Sequence, residues 1–388
     1  VVLRQGESVG LGLELAAKAP QGTDLWNRSI EGGKQMKRYL SGLMAIMVVT
    51  IVLPIGSAFA QKSLPKVPIT YAGDTDQTII RRAQWIEGAK KEGNTLTLWS
   101  IGNPPQIKQE TDAFTKVYPF IKVEYWRGTG EEIATKLEQE FSSKRRTADV
   151  AYGGEPINFP RWRKLGYMGK FTDLIPRIEK WDKRYYSSQG DSAQAGTQAS
   201  SPQYNTKLVS AAEVPRNWDD LLDPKWKGQL GMTTDPKIWW TMALADGGWG
   251  LEKTTDFLTK LKAQHPKLQT GTSQGHALLI AGEFSIFANG YLRHVINSKE
   301  KGVPVEWARV NPIVFSGPSI IMPTAGPHPH AARLFFEWFL SSEGLRLHED
   351  VTGLGFASDI SGSRLSGIVK GHSAVIRTEE VILKAVEL

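Results

Sequence analysis

The chain has 388 residues, with 47 Lys and Arg against 40 Asp and Glu, a formal net charge of +7. A surplus that small over this length needs no nucleic-acid partner to explain it. Cysteine is absent, which excludes disulfides, thiol catalysis and Cys-based metal sites.

Met36-Lys37-Arg38, the uncharged run Leu43–Leu53 and Ser57-Ala58-Phe59-Ala60 follow one another in the order of a secretory signal peptide. The apolar run falls short of the ~20 residues a membrane span needs. Cleavage is expected after Ala60, giving a periplasmic protein that starts at Gln61. Residues 1–35 do not suit a position ahead of such a signal. They are expected to be untranslated or outside the fold, with Met36 as initiator. Residues 1–60 hold six basic and four acidic side chains, so the chain beyond them carries about +5.

Apolar spacing predicts a helix over 79–91, and the alternation from Thr95 to Ser100 predicts a strand. A helix over 106–117, a strand over 121–126, a helix over 131–143, a strand over 148–152 and a short helix near 158–165 follow. This β-α-β-α-β order calls for a parallel sheet with helices on both faces. In such sheets ligands lie beyond the carboxyl ends of the strands. Those ends carry Ser100, Gly102 and Asn103, then Gly128-Thr129-Gly130, then Gly153, Gly154 and Glu155. All three are glycine-bearing turns ahead of helices, where backbone N–H groups can face an anion. Glycines that merely make tight turns would read the same way.

Residues 171–203 carry little periodicity, and Ser187–Ser201 reads as a loop. Tyr204-Asn205-Thr206 and Trp218–Gly228 then give an extended segment and a capped turn stopped by Asp223-Pro224. They are expected to mark the crossing into a second lobe. A second α/β unit follows: a strand over 229–233, a helix over 237–247 carrying Trp239-Trp240, a helix over 251–265, a helix opened by Thr272 or Ser273, and a strand over 284–288. Strand material recurs over 305–321, and helices are expected over 327–341 and 377–386.

Three stretches resemble the extracellular solute-binding proteins of bacterial ABC importers, in the branch whose founding members carry ferric iron. They are Tyr204-Asn205-Thr206 with Trp218–Gly228, then Gly271-Thr272-Ser273 through Gly282-Glu283-Phe284, and Pro327-His328-Pro329-His330 through Phe335 with Ser341 and Glu343-Gly344. The resemblance implies a two-lobed α/β fold of the type II periplasmic-binding-protein kind. Lobe 1 would take residues 85–203, lobe 2 residues 204–300, and residues 301–388 would return to lobe 1. It also implies a small-molecule ligand in the interlobe cleft, an ABC permease in the inner membrane as partner, a monomer, and no enzyme activity.

Iron-binding members use adjacent tyrosines after the Gly-Glu strand, an early His and an acid. Here the matching place reads Asn289-Gly290-Tyr291, and no His precedes His265. If iron were bound, Glu155 and Tyr291 would be its ligands, too few for a ferric ion without a chelating anion. The expected ligand is therefore a small organic or phosphorus-containing anion, with ferric iron as the alternative. An exported enzyme on the same fold is the alternative of another class, against which no G-x-S-x-G, H-E-x-x-H or Walker pattern occurs. No catalytic residue, cofactor or metal is expected. The expected ligand-binding residues are Ser100, Gly102, Asn103, Thr129, Gly153, Gly154, Glu155, Tyr204, Asp235, Trp239, Thr272, Ser273 and Tyr291. His328 and His330 are read as a helix start rather than a metal pair.

Overall fold

A computed structural model describes residues 63–174, 183–355 and 363–388. The signal segment and its cleavage point lie outside the described residues. The first strands and helices follow the predicted order: α1 Asp76–Lys91, β1 Thr95–Ser100, α2 Pro104–Val117, β2 Lys122–Arg127, α3 Gly130–Ser142, β3 Val150–Gly154 and α4 Phe159–Lys164. β1 pairs in parallel with both β2 and β3. Alternation sorts their side chains between two helical layers. Leu96 and Leu98 pack with Trp85, Phe114 and Phe335, while Trp99 and Ala151 pack with Leu137, Phe141 and Trp162.

Three more strands complete this first sheet: β4 Met168–Gly169, β5 Ser192–Gln194 and, from late in the chain, β12 Ser319–Pro323. β12 lies antiparallel to β3, β4 and β5.

The second sheet has the order β13-β11-β6-β9-β7-β8, with β10 also on β6. Its strands are β6 Gln198–Asn205, β7 Leu230–Thr233, β8 Lys267–Gln269, β9 Ile286–Tyr291, β10 Val305–Trp307, β11 Ile313–Ser316 and β13 Ala374–Ile376. Between them run α5 Lys237–Leu244, α6 Leu251–Ala263, α7 Thr272–Ala281 and α8 Leu292–Lys299. The chain closes with α9 Pro329–Phe339, α10 Ser342–Thr352, α11 Arg364–Val369 and α12 Glu379–Val386. Ile286 and Ala288 face a core of Trp218, Trp239 and Phe257, and Phe287 faces the opposite layer.

The crossing between the sheets is not at Tyr204. β5 belongs to the first sheet and β6 to the second, so the chain passes over at Ala195–Thr197, inside the stretch read as a loop. Its Ser, Ala and Gln residues are buried on both faces (Ser200, Ser201 and Gln203 are all 0% exposed), and two-sided burial erases the alternation that marks a strand. The return crossing is at Gly317-Pro318, between β11 and β12. The two crossings touch: a Cβ on Gly317 would lie 1.8 Å from the Gly196 carbonyl oxygen. Gly317→Ala must push the links apart and is expected to cost about 3 kcal/mol or more. A urea titration should show a lower midpoint, and an unchanged midpoint would contradict the contact.

Trp218–Leu222 and Pro224–Trp226 are 3₁₀ turns capped by Asn217 and Asp223. Trp218 is buried, and its Nε1 donates to the Pro312 carbonyl at 3.0 Å. This half of the motif packs the second sheet. α12 lies across the two sheets' surroundings, touching both α5 and the 3₁₀ turn Pro156–Asn158 that follows β3.

Candidate functional site

The first sheet offers the ends of β1, β2 and β3, but their turns are largely occupied by their own chain. Asn103 caps α2 and Thr129 caps α3, each in a reciprocal capping box, with Gln106 and Glu132. Such a box satisfies the very donors that an anion would need. Asn103 and Thr129, expected to face ligand, are therefore helix caps. Ser100 is 1% exposed and its Oγ accepts from the Gly102 amide at 3.1 Å, closing the turn after β1. Gly102 itself packs closely on Ile107. Gly153 adopts φ +108°, and a Cβ there would lie 2.2 Å from Ile101. Gly154 pairs with Ser319 of β12.

Glu155 is different. It precedes the 3₁₀ turn without using its side chain as a cap. Its Oε1 lies against Gly130, where a Cβ would come to 3.3 Å. Its Oε2 is 3.8 Å from Nη2 of Arg377, the residue after β13. An acid from the first sheet thus meets a base from the second.

The second sheet supplies the open helix ends. β9 closes with Asn289-Gly290-Tyr291, and each residue has a reason. Asn289 is fully buried and ties β9 to β7, accepting from the Thr233 amide at 2.8 Å and donating to its hydroxyl at 3.0 Å. Gly290 leaves room for Gln203, which a Cβ would approach to 2.4 Å. Gln203 Nε2 donates to the Tyr291 carbonyl at 2.7 Å, and His276 Nδ1 lies 2.8 Å from Gln203 Oε1. With the Gln203 amide nitrogen already donating, its oxygen must accept, so His276 carries its proton on Nδ1. Nε2 then accepts from Ser298 at 2.8 Å. The Tyr291, His294 and His276 rings stack, with centroids 6.2 and 5.5 Å apart.

Burial lowers the His294 pKa to about 3, helped by Arg293 and His276, so the ring is neutral at pH 7. Burial, then Asp235, raises the Tyr291 pKa, while Arg293 and Arg377 oppose the rise. Tyr291 is a protonated hydroxyl with both charge types around it.

Two helices start here without a side-chain cap: α7 after Gly271 and α8 after Tyr291. Thr272 Oγ1 lies 3.4 Å from His294 Nε2, which brings the two first turns together. Uncapped N-termini leave donors and a partial positive charge. Arg293 sits in the first turn of α8, where a cation opposes the helix dipole. Burial lowers its pKa, and its Nε is buried with no hydrogen-bond partner. Among the described residues no carboxylate pairs with it. Asp235 lies just before α5, whose cap position is Pro236; its Oδ1 accepts from the Lys237 amide at 3.0 Å, with Lys237 Nζ 3.6 Å from its other oxygen.

Of the residues expected at the site, Thr272 meets His294 next to Tyr291, Asp235 acts on the Tyr291 hydroxyl, Glu155 reaches Arg377, and Ser273 is exposed on the first turn of α7. Tyr204 does not. It pairs with Ile286 and Glu306, four residues along β6 from Ser200, which faces Tyr291. That is about 13 Å away. Trp239 does not either: it is 4% exposed and packs on Trp218 at 5.7 Å, whereas Trp240 is 43% exposed. The sequence reading missed Arg293 and Arg377. Arg293 carried one signal, a cation in a helix's first turn. Arg377 carried none.

His328 holds Asp149 and His330 holds Glu92, two separate carboxylates, as a helix start would. A cavity of about 570 Å³ opens between residues 183–194 and α12, but Glu155, Asp235, Tyr291, Arg293 and Arg377 do not line it.

Residues 109–359, well over half the chain, match the family described as bacterial extracellular solute-binding protein. An uncharacterized protein of Haemophilus influenzae is 28% identical over 281 residues, 68% of this chain and 77% of that one. Among solved structures, iron-bound HitA from Pseudomonas aeruginosa is similar at a TM-score of 0.58 and 20% identity, over 76% of this chain and 96% of its own. The periplasmic binding protein AfuA from Actinobacillus pleuropneumoniae, with fructose-6-phosphate bound, is similar at 0.53 and 20%, over 67% and 83%. The two-sheet α/β fold and the family match agree, and the chain belongs to the bacterial extracellular solute-binding proteins.

Proposed function

We propose that the site around Tyr291 captures a small organic or phosphorus-containing anion and that the loaded, closed form delivers it to an ABC permease in the inner membrane. One observation carries this reading: Arg293 has a buried, unpartnered Nε in the first turn of an uncapped helix. A buried donor without a protein partner is completed by an ordered water or by a ligand, and the place of Arg293 beside Tyr291, with Cζ 5.7 Å from its ring centroid, supports the ligand. Arg377 adds a second guanidinium beside Tyr291. AfuA's bound sugar phosphate has the chemistry such a site would take.

HitA is an iron-bound relative in fold, but a ferric ion suits this site poorly. Two guanidiniums repel a cation, and Tyr291 has no neighbouring tyrosine to share ligation. Among the described residues the exported-enzyme alternative can draw on the acid–histidine–hydroxyl chain Glu110–His348–Tyr152, joined at 2.6 and 2.8 Å. All three are buried, and burial raises the Tyr152 pKa well above its ordinary value. No substrate reaches them, which supports capture without turnover. The same proposal includes a monomer released by cleavage after Ala60.

A thermal-shift screen of fructose 6-phosphate, citrate, alkyl phosphonates, ferric citrate and thiamine tests the reading. An anion at 100 times its dissociation constant should stabilise by about 2.7 kcal/mol. A red-brown protein with tyrosinate-to-iron absorption, or recovery of a chemically altered ligand, would overturn it.

A further inference from the structure

The chain passes between the sheets at Ala195–Thr197 and Gly317-Pro318, and again over a longer path through α9, α10 and α11 from β12 to β13. Beside these covalent links the start of α12 makes a non-covalent one. We propose that Arg163 and Glu379 form an electrostatic clasp between the two lobes, made when they close and released when they open, which sets the closed population before any solute arrives.

The start of α12 is anchored to the second sheet. β13 pairs with β11, and the Arg377 amide donates to the Phe315 carbonyl at 2.8 Å. Thr378 then caps α12, and Glu379 stands in its first turn, where a carboxylate suits the helix dipole. The groups that face this segment belong to the first sheet: Arg163 on α4, Gln194 in β5 and Glu155 after β3. Gln194 Nε2 donates to the Arg377 carbonyl at 2.7 Å, and Glu155 stands 3.8 Å from Arg377.

Arg163 is preset to take a carboxylate. Its Nε and Nη2 each donate to an oxygen of Asp191 at 2.7 Å, and Nη2 also reaches Ser187 Oγ at 3.1 Å. Asp191 is buried and precedes β5, so this edge of the guanidinium is fixed from within the first lobe. The other edge meets Glu379, with Nη1 on Oε1 and Nη2 on Oε2, the latter at 2.9 Å. A planar fork held on one edge loses little freedom when it takes a carboxylate on the other. Opening strands no charge. Arg163 keeps Asp191, and Glu379, with 21% of its side chain already exposed, returns to water. Arg82 differs, since both of its carboxylates are interior. The pair can therefore break and re-form at small cost, as a clasp must and a core ion pair cannot.

Pulsed electron paramagnetic resonance on the ligand-free protein tests this. The chain has no cysteine, so Lys116→Cys on α2 and Thr255→Cys on α6, both exposed, place one spin label on each lobe. Glu379→Gln is expected to lower the ratio of closed to open lobes about tenfold, the effect of one charge-assisted hydrogen bond lost, and to add longer distances between the labels. Salt at about 1 M, where the Debye length is ~3 Å, should move the parent the same way and leave Glu379→Gln unmoved. Glu379→Asp, with the charge on a shorter arm, should fall between the two. A distance distribution that neither the substitution nor salt changes would overturn the clasp, and a lower melting temperature alone would assign Glu379 to the fold. A variant as salt-sensitive as its parent would overturn it as well. No solute enters the measurement, so its outcome stands apart from the anion-capture reading.

Discussion

Replacing Arg293 by methionine is expected to weaken binding of the acidic solute by about 100-fold or more, because two hydrogen bonds to a charged group contribute roughly 1.5–3 kcal/mol each. The same change should leave the ligand-free protein as stable as before, or more so. Arg293 opposes the dipole of α8, and its Nε is buried without a partner. No carboxylate among the described residues depends on it, so nothing is orphaned when it goes. Methionine fills most of the volume. Loss of binding together with equal or higher thermal stability is the signature of a residue retained for ligand, since sites violate folding rules that the rest of the chain obeys. Calorimetry and a ligand-free melting curve give both readouts. Arg293→Lys should recover part of the affinity only, because a point charge cannot match a planar head with two donors.

The fold of the first sheet was legible because its strands face helices on both sides and their residues alternate between two apolar layers, Leu96 and Leu98 on one and Trp99 on the other. The crossing was not legible. β5 and β6 are buried on both faces by small polar residues that look like a linker. The same cause misplaced Tyr204, which closes β6 rather than opening it.

At the site, the sequence pointed to strand ends but not to which of their turns stay open. Gln106 and Glu132, three residues after Asn103 and Thr129, complete capping boxes and take those turns out of use. Gly271 and Tyr291, which cannot cap with a side-chain oxygen as Ser or Asp would, leave α7 and α8 open. Between Trp239 and Trp240, which project about 100° apart, only the packed core decides. Arg377 comes to the site by strand pairing of β13 with β11, far along the chain from Tyr291 and Glu155, and no local pattern foretells that.

Arg82 is the counterpart of Arg293, and its substitution should have the opposite effect. Arg82 is fully buried, holds Glu337 at 2.7 and 2.9 Å and Asp74 at 2.8 Å through two nitrogens, and donates to the Ile69 carbonyl at 3.1 Å. It thereby fastens the segment before α1 to α9. Burial pushes the Asp74 carboxyl upward, but the Arg82 hydrogen bonds outweigh burial and hold it below its ordinary value. Arg82→Met leaves two carboxylates without their cation in the interior, which costs about 3–5 kcal/mol. The melting temperature should drop by on the order of 10 °C. Adding Asp74→Asn and Glu337→Gln should restore part of the loss, since the penalty belongs to the stranded charges. Comparison of Arg82→Met with Arg293→Met in ligand-free protein by scanning calorimetry separates a paired guanidinium from an unpaired one. A similar destabilisation by both would mean that Arg293 also serves the fold, and the site built around it would lose its basis.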